Sequence, residues 1–186
     1  MPKIIGLVGR ARCGKSTFAG MLAGELVMHS NDVTIRGFAD NLRDMCNNFF
    51  GHDFYDDRVK TMEIFPGITG GMLLQKVGTD WFRSVDTDFW VKRMEKYLTD
   101  FDDYLIIPDV RFENEAKWVK DNDGYLVRLH RRVDVPGRDP NHPSETAQES
   151  IQVDGHVFNQ DISLDDLSIC ARSYAARLME EYDNAA

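Results

Sequence analysis

The apolar run Ile4 to Val8 leads directly into Gly9-Arg10-Ala11-Arg12-Cys13-Gly14-Lys15-Ser16-Thr17, a complete match to the pattern G-x-x-x-x-G-K-[ST]. That pattern works only as strand, tight loop and helix, so it constrains the fold before any other feature is considered. The glycines Gly9 and Gly14 let backbone N–H groups converge on an anion, and the following helix N-terminus adds partial positive charge. Lys15 is then placed to neutralise β/γ-phosphate oxygens, Ser16 to ligate Mg²⁺, and Arg12, Cys13 and Thr17 to complete the cradle. Cys13 reads as a small filler whose backbone N–H matters, in preference to a redox group.

Along the rest of the chain, short apolar runs alternate with longer amphipathic ones, which predicts an α/β fold with a parallel sheet wrapped by helices. Five strands are expected, at Ile4 to Val8, Val33 to Phe38, Tyr104 to Pro108, Tyr125 to Leu129 and His156 to Phe158. The first four are nearly continuous apolar runs, as strands covered on both faces are. Helices are expected at Lys15 to Met28, Asp40 to Phe50, Gly71 to Phe82, Asp88 to Phe101, Asn114 to Asn122, and from Ser163 to about Tyr182. In the fourth of these, Trp90, Met94, Tyr97, Leu98 and Phe101 form one helical stripe that reads as core. Gly51 to Gly70 and Arg131 to Glu149 break the pattern and read as irregular covers over the sheet. No repeat or linker divides the chain, so residues 1–186 are expected to form one domain.

Composition removes several classes of function. With 22 Lys+Arg against 31 Asp+Glu, the net charge of −9 is the wrong sign for gripping a nucleic-acid polymer through counterion release. No apolar run approaches the roughly 18 residues that read as a membrane span, and the N-terminus lacks the pattern of a secretory signal. Three cysteines without metal-ligand spacing read as free thiols in a reducing compartment, which makes a cytoplasmic location the expectation.

A second acidic element follows from the loop. Tyr104-Leu105-Ile106-Ile107-Pro108-Asp109 is an apolar strand ending in a carboxylate, where a phosphate-loop protein carries the acid that holds Mg²⁺, often through water. Arg111 lies beside it, placed either to pair with Asp109 or to reach a substrate phosphate. No N/T-K-x-D element for reading guanine is present, and 186 residues leave little room for the extra domains of a motor. A small-molecule kinase fits, and such an enzyme needs positioned cations over the transferring phosphoryl group. Arg128, His130, Arg131, Arg132 and Arg138 cluster after the fourth strand as a lid would. A second basic set, Arg43, Lys60 and Arg83, suits a phosphate-bearing acceptor. A hydroxyl acceptor would instead need a carboxylate base, for which Asp40 is the candidate, its alternative being a helix cap. A non-catalytic ATP-binding regulatory module is the reading from another class.

Taken in order, the blocks Gly9 to Thr17, Phe38-Ala39-Asp40-Asn41-Leu42-Arg43, Leu74 to Arg83, Asp109 to Glu115 and His142-Pro143-Ser144-Glu145 resemble bacteriophage-type deoxynucleoside monophosphate kinases of the adenylate-kinase-like group. The resemblance implies a P-loop NTPase fold with a five-stranded parallel sheet in the order 2-3-1-4-5. It implies an acceptor-binding region over about residues 38–83 and a short lid over about 130–149. It also implies transfer of the ATP γ-phosphoryl group to a dNMP, giving dNDP and ADP, in the cytoplasm of a host cell. Lys15 and Ser16 then stand at ATP and Mg²⁺, Arg43 and Arg83 near the acceptor phosphate, and Arg131 or Arg132 over the transferring group; Asp40, Trp81 and Arg111 complete the set expected to bind substrate. An aromatic such as Tyr55, Trp81 or Phe82 would exclude a 2′-hydroxyl. Asn159, after the fifth strand, stands either in an ordinary turn or where adenine is met. His142 and Glu145 carry no assigned role beyond closing a loop, and a homodimer is left open.

Overall fold

A computed structural model of the chain describes residues 2–29, 32–98, 103–131, 137 and 139–183. Strand β1 (Lys3–Val8) is followed by α1 (Lys15–Val27), β2 (Val33–Ile35), α2 (Asp40–Phe50) and α3 (Asp57–Thr61). A two-stranded hairpin, β3 (Glu63–Phe65) and β4 (Ile68–Thr69), precedes α4 (Gly70–Gln75), a π-helical segment Lys76–Arg83 and α5 (Phe89–Glu95). The second half contains β5 (Tyr104–Val110), α6 (Glu113–Asp121), β6 (Tyr125–His130), α7 (Pro143–Thr146), β7 (Gly155–Phe158) and α8 (Leu164–Asp183). The main sheet is parallel with order β2-β5-β1-β6-β7. Counting only its own strands, this is the expected 2-3-1-4-5 of a P-loop NTPase fold.

Side-chain alternation builds a core on each face of the sheet. Ile5, Leu7, Ile106, Val127 and Val157 meet Phe18, Leu22, Leu26, Leu167, Ala171 and Leu178 of α1 and α8. Ile4, Val8, Leu105, Ile107 and Leu126 meet Leu42, Leu73, Trp90, Met94, Trp118 and Val119 on the other face. Burial on both faces is why the central strands are apolar without polar alternation. Among the described residues, no helix is long and apolar enough to cross a membrane.

Several elements depart from expectation for local reasons. Strand β2 ends at Ile35 instead of Phe38 because the chain turns at Gly37 toward Asp109, whose Oδ2 lies 2.5 Å from where a Cβ on Gly37 would stand. The helix expected over Gly71 to Phe82 is α-helical only to Gln75 and then widens into the π-helical segment. There the Gly78 carbonyl accepts from Trp90 Nε1 at 2.9 Å, and Leu42 packs where a Gly78 side chain would be. A π-turn commonly accompanies a functional site because it re-aims side chains. Helix α5 ends at Glu95, short of the expected Phe101; Trp90 and Met94 are core, while Tyr97 instead lies under Arg36, 4.1 Å from its ring centre. Phe101 lies outside the described residues. The Gly51 to Gly70 segment is ordered by α3 and by the hairpin turning at Pro66-Gly67, where Gly67 has φ +75°.

Candidate active site

The loop between β1 and α1 begins at Gly9 (φ 146°), passes through Arg12 (φ 57°) and enters the helix at Gly14 (φ 96°). A side chain on Gly14 would run into Asn159 Nδ2 at 2.8 Å. Asn159 is buried beneath the loop and donates from Nδ2 to the Cys13 carbonyl at 2.6 Å. It therefore supports the cradle from below. Its Oδ1 has no hydrogen-bond partner. Cys13 is fully buried, its Sγ 3.6 Å from Lys15 Nζ. Lys15 is folded back on its own loop, donating to the Gly9 and Arg10 carbonyls at 2.7 and 2.6 Å. Burial pulls its pKa down to about 8, with nearby Arg111 acting in the same direction and Cys13 and Glu145 opposing. A phosphate arriving at the loop would restore the preference for the charged form.

Strand β5 delivers Asp109 through an irregularity. Gly6 pairs with Ile107 but Val8 pairs with Val110, so β5 holds one extra residue across that step. Pro108 falls there and has no N–H to give the ladder, a sufficient reason for the slip. Asp109, directed by this bulge, accepts from Phe38 N at 2.8 Å, Ala39 N at 3.2 Å and Arg43 Nη2 at 3.4 Å. Asp40 Oδ1 accepts from Arg43 Nη1 at 2.5 Å, and its Oδ2 from Gly37 N at 2.7 Å. Asp40 is thus not the helix cap and lies outside the walls of the two cavities that Arg43 lines; it holds Arg43. Two carboxylates raise the Arg43 pKa against the cost of burial, while burial and Asp109 raise that of Asp40.

Arg83, at the end of the π-helical segment, pairs with Glu115 Oε1, donates to the Thr87 carbonyl at 2.8 Å and lies 3.9 Å over the Phe112 ring. Burial lowers the Arg83 pKa. Glu115 is buried at the start of α6, where its Oε2 accepts from Arg111 N at 2.7 Å and Phe112 N at 3.1 Å. Burial pushes its carboxyl up to about 7, against the pull of Arg83. Trp81, expected at the acceptor, is 61% exposed and lies against Phe82, outside the cavity that Arg43, Arg83 and Arg111 line. The wider π-turn carries it outward, and Trp90 forms that wall instead.

Within the segment expected to form the lid, α7 brings Glu145 to the loop and to Arg111. Glu145 Oε2 accepts from Ala11 N at 3.3 Å and its Oε1 accepts from Arg111 Nη1 at 2.7 Å. His142 caps α7 and its Nε2 lies 2.9 Å from Asp80 Oδ1 on the π-helical segment. Arg10 turns away to pair with Glu149, whereas Arg12 faces the phosphate cavity. Arg132 and Arg138 lie outside the described residues.

These side chains surround two adjoining cavities. One, of about 370 Å³, is walled by Ala11, Arg12 and residues 14–17 of the loop together with Lys60, Arg131 and Asp57. The other, of about 70 Å³, has apolar walls from Leu42, Leu74, Trp90 and Phe112 and a charged end at Arg83 and Glu115. Arg43, Asp109 and Arg111 line both, so they stand at the junction. A third cavity, of about 610 Å³, begins at Gly9 and Arg10 and runs along Arg128, His130 and Phe158. Asp57, Trp90 and Glu115 were not legible as site residues in the sequence. Glu115 closed a block that carried the resemblance but had no role there, and an acid in the first turn of a helix is common in helices that bind nothing.

The family profile described as "Deoxynucleotide monophosphate kinase" matches residues 60–169. A protein of Acanthamoeba polyphaga mimivirus, provisionally named a deoxynucleotide monophosphate kinase, is 29% identical over 170 residues, covering 80% of this chain and 83% of its own. Among solved structures, the APS kinase of Mycobacterium tuberculosis aligns over 96% of this chain and 97% of its own, with 18% identity and a TM-score of 0.44. A provisionally named kinase of Chloroflexus aurantiacus aligns over 92% and 97%, with 12% identity and the same TM-score. With a phosphate-loop sequence beside a cavity lined by Arg43, Arg83 and Arg111 and a family match across more than half its length, this chain belongs to the deoxynucleotide monophosphate kinase family and is an ATP-dependent nucleotide kinase.

Proposed function

We propose that the protein transfers the γ-phosphoryl group of ATP to a deoxynucleoside monophosphate, giving ADP and dNDP. The observation that carries this reading is the pair of adjoining cavities with Arg43 and Arg111 at their junction. The larger has the backbone cradle and cations for a polyphosphate. The smaller, of about 70 Å³, has apolar and aromatic walls suited to one edge of a base, with Arg83 at its charged end, and has to widen to admit a whole nucleoside. An acceptor phosphate oxygen is ionised at neutral pH, so the attack on the γ-phosphorus needs no base. A bond forms from that oxygen to phosphorus, and the bond to the β–γ bridging oxygen breaks, leaving ADP. In-line transfer spreads charge over the equatorial oxygens, and positioned cations lower its energy.

In this reading Lys15 and Arg131 meet the transferring group, and Arg43, Arg83 and Arg111 meet the acceptor phosphate. The base of ATP extends toward the cavity beside Phe158, a ring 68% exposed and 4.4 Å from the parallel His130 ring. Mg²⁺ fits the donors present in a restricted way: Ser16 lines the phosphate cavity, and Asp109 already receives three donors. A carboxylate has about four lone-pair sites, so Asp109 has room for one contact, made through water. When bound, such an ion would supply positive charge against the phosphate oxygens. Among the described residues no group of three or more His, Cys, Asp or Glu could hold a metal without those phosphates. A hydroxyl acceptor is less well served, because Asp40, the base it would need, lines neither cavity and is held by Gly37 N and Arg43.

The test is ADP release with ATP and Mg²⁺ on each common deoxynucleoside and ribonucleoside monophosphate, with Lys15→Ala as control. Turnover on deoxynucleotides, abolished in the control, is expected. Silence on every monophosphate in a folded, ATP-binding protein overturns the reading.

A further inference from the structure

The buried carboxylate of Glu145 belongs to no step described so far. It is 6% exposed on a four-residue helix, yet it touches the two parts of the site that have to be aligned. One oxygen accepts from Ala11 N in the phosphate loop; the other accepts from Arg111 at the junction of the cavities. The Ser144 carbonyl takes a second bond from the same Arg111 Nη1 at 2.6 Å, so that guanidinium nitrogen is held from two sides by α7. The helix is in turn tied to the acceptor side through His142 and Asp80.

We propose that Glu145 is a positioning residue for phosphoryl transfer, setting the distance and angle between the phosphate loop and Arg111. The inference rests on the kinase reading above. Arg111 is a flexible side chain whose freedom would otherwise have to be lost in the transition state. A buried partner removes that freedom beforehand, which favours the rate of transfer, and acceptor binding to a smaller degree, over the binding of ATP. The arrangement needs a negative charge for Arg111 and an acceptor for Ala11 N–H. Glu145→Ala removes both. Glu145→Gln, nearly the same shape, retains one carbonyl oxygen and loses the charge.

The experiment compares kcat and KM for ATP and for the best deoxynucleotide in wild type, Glu145→Ala, Glu145→Gln, Arg111→Ala and the Arg111→Ala/Glu145→Ala double variant. Circular dichroism and thermal melting accompany each. The expected result is a kcat lower by about tenfold or more in Glu145→Ala, with the ATP KM within about threefold and the acceptor KM raised by less than kcat falls. Glu145→Gln should fall between it and wild type. On the Arg111→Ala background, removing Glu145 should have little further effect, which a merely structural loss would not produce. Wild-type turnover with an unchanged kcat in Glu145→Ala, or fully additive losses in the double variant, overturns the positioning role and leaves the kinase reading intact. Absence of wild-type transfer overturns both.

Discussion

Replacing Asp109 with Asn tests whether this carboxylate organises the acceptor side. In the native site it receives Phe38 N, Ala39 N and Arg43 Nη2. An Asn can keep one oxygen for Phe38 N, but its NH₂ would then face Ala39 N–H and the Arg43 guanidinium, donor against donor. Two charge-assisted contacts are lost, and hydrogen bonds to charged groups contribute about 1.5–3 kcal/mol each. The Arg43 contact is long and counts toward the lower end, while Arg43 retains Asp40. A destabilisation of about 2–4 kcal/mol results, or roughly 5–15 °C in Tm for a domain of this size. Urea unfolding should show a lower midpoint with an unchanged slope, because the surface exposed on unfolding is the same. The acceptor KM should rise by about tenfold or more, since Arg43 and the turn carrying Phe38 and Ala39 lose a shared anchor, while the ATP KM changes little. A Tm within about 2 °C of wild type together with an unchanged acceptor KM would refute the reasoning.

Further expectations concern the loop and the π-turn. Lys15 has a folded pKa of about 8 against 10.5 when free, so the unfolded chain binds more protons between those values. Stability should therefore rise from pH 8 to about 10.5, by an amount on the order of 3 kcal/mol, and this gain should vanish in Lys15→Met; denaturant midpoints across that range report it. Loss of the Lys15 charge should weaken ATP binding as pH passes upward through about 8, read by calorimetry. Gly78→Ala places a methyl 2.5 Å from Leu42 Cδ2, costing about 1–3 kcal/mol and raising the acceptor KM; thermal melting and initial rates measure both. Asn159→Ala leaves the Cys13 carbonyl without its donor, costing about 1–2 kcal/mol and raising the ATP KM with little effect on the acceptor KM, as kinetics at saturating acceptor would show.

The phosphate loop, the strand alternation and the order of helices were legible in the sequence because each depends on residues close along the chain. Gly9 to Thr17 specifies its own geometry, and apolar runs such as Tyr104 to Ile107 identify strands buried on both faces. Asp109, Arg43, Arg83 and Arg111 could be named as candidates from their types and places. What each side chain does depended on partners far along the chain. Asp109 faces a turn that lies 71 residues earlier, Glu145 reaches a loop N–H 134 residues away, and Trp90 replaces Trp81 because a π-turn widens at a glycine packed on Leu42. Sequence periodicity records which face of an element is buried and carries no term for what lies across that face. The sequence by itself thus determined that a phosphate would be held, and where. Only the tertiary structure decided which carboxylates line the cavities and which hold the arginines in place, because the packing of β5, α2, α6 and α7 at one end of the sheet sets those distances.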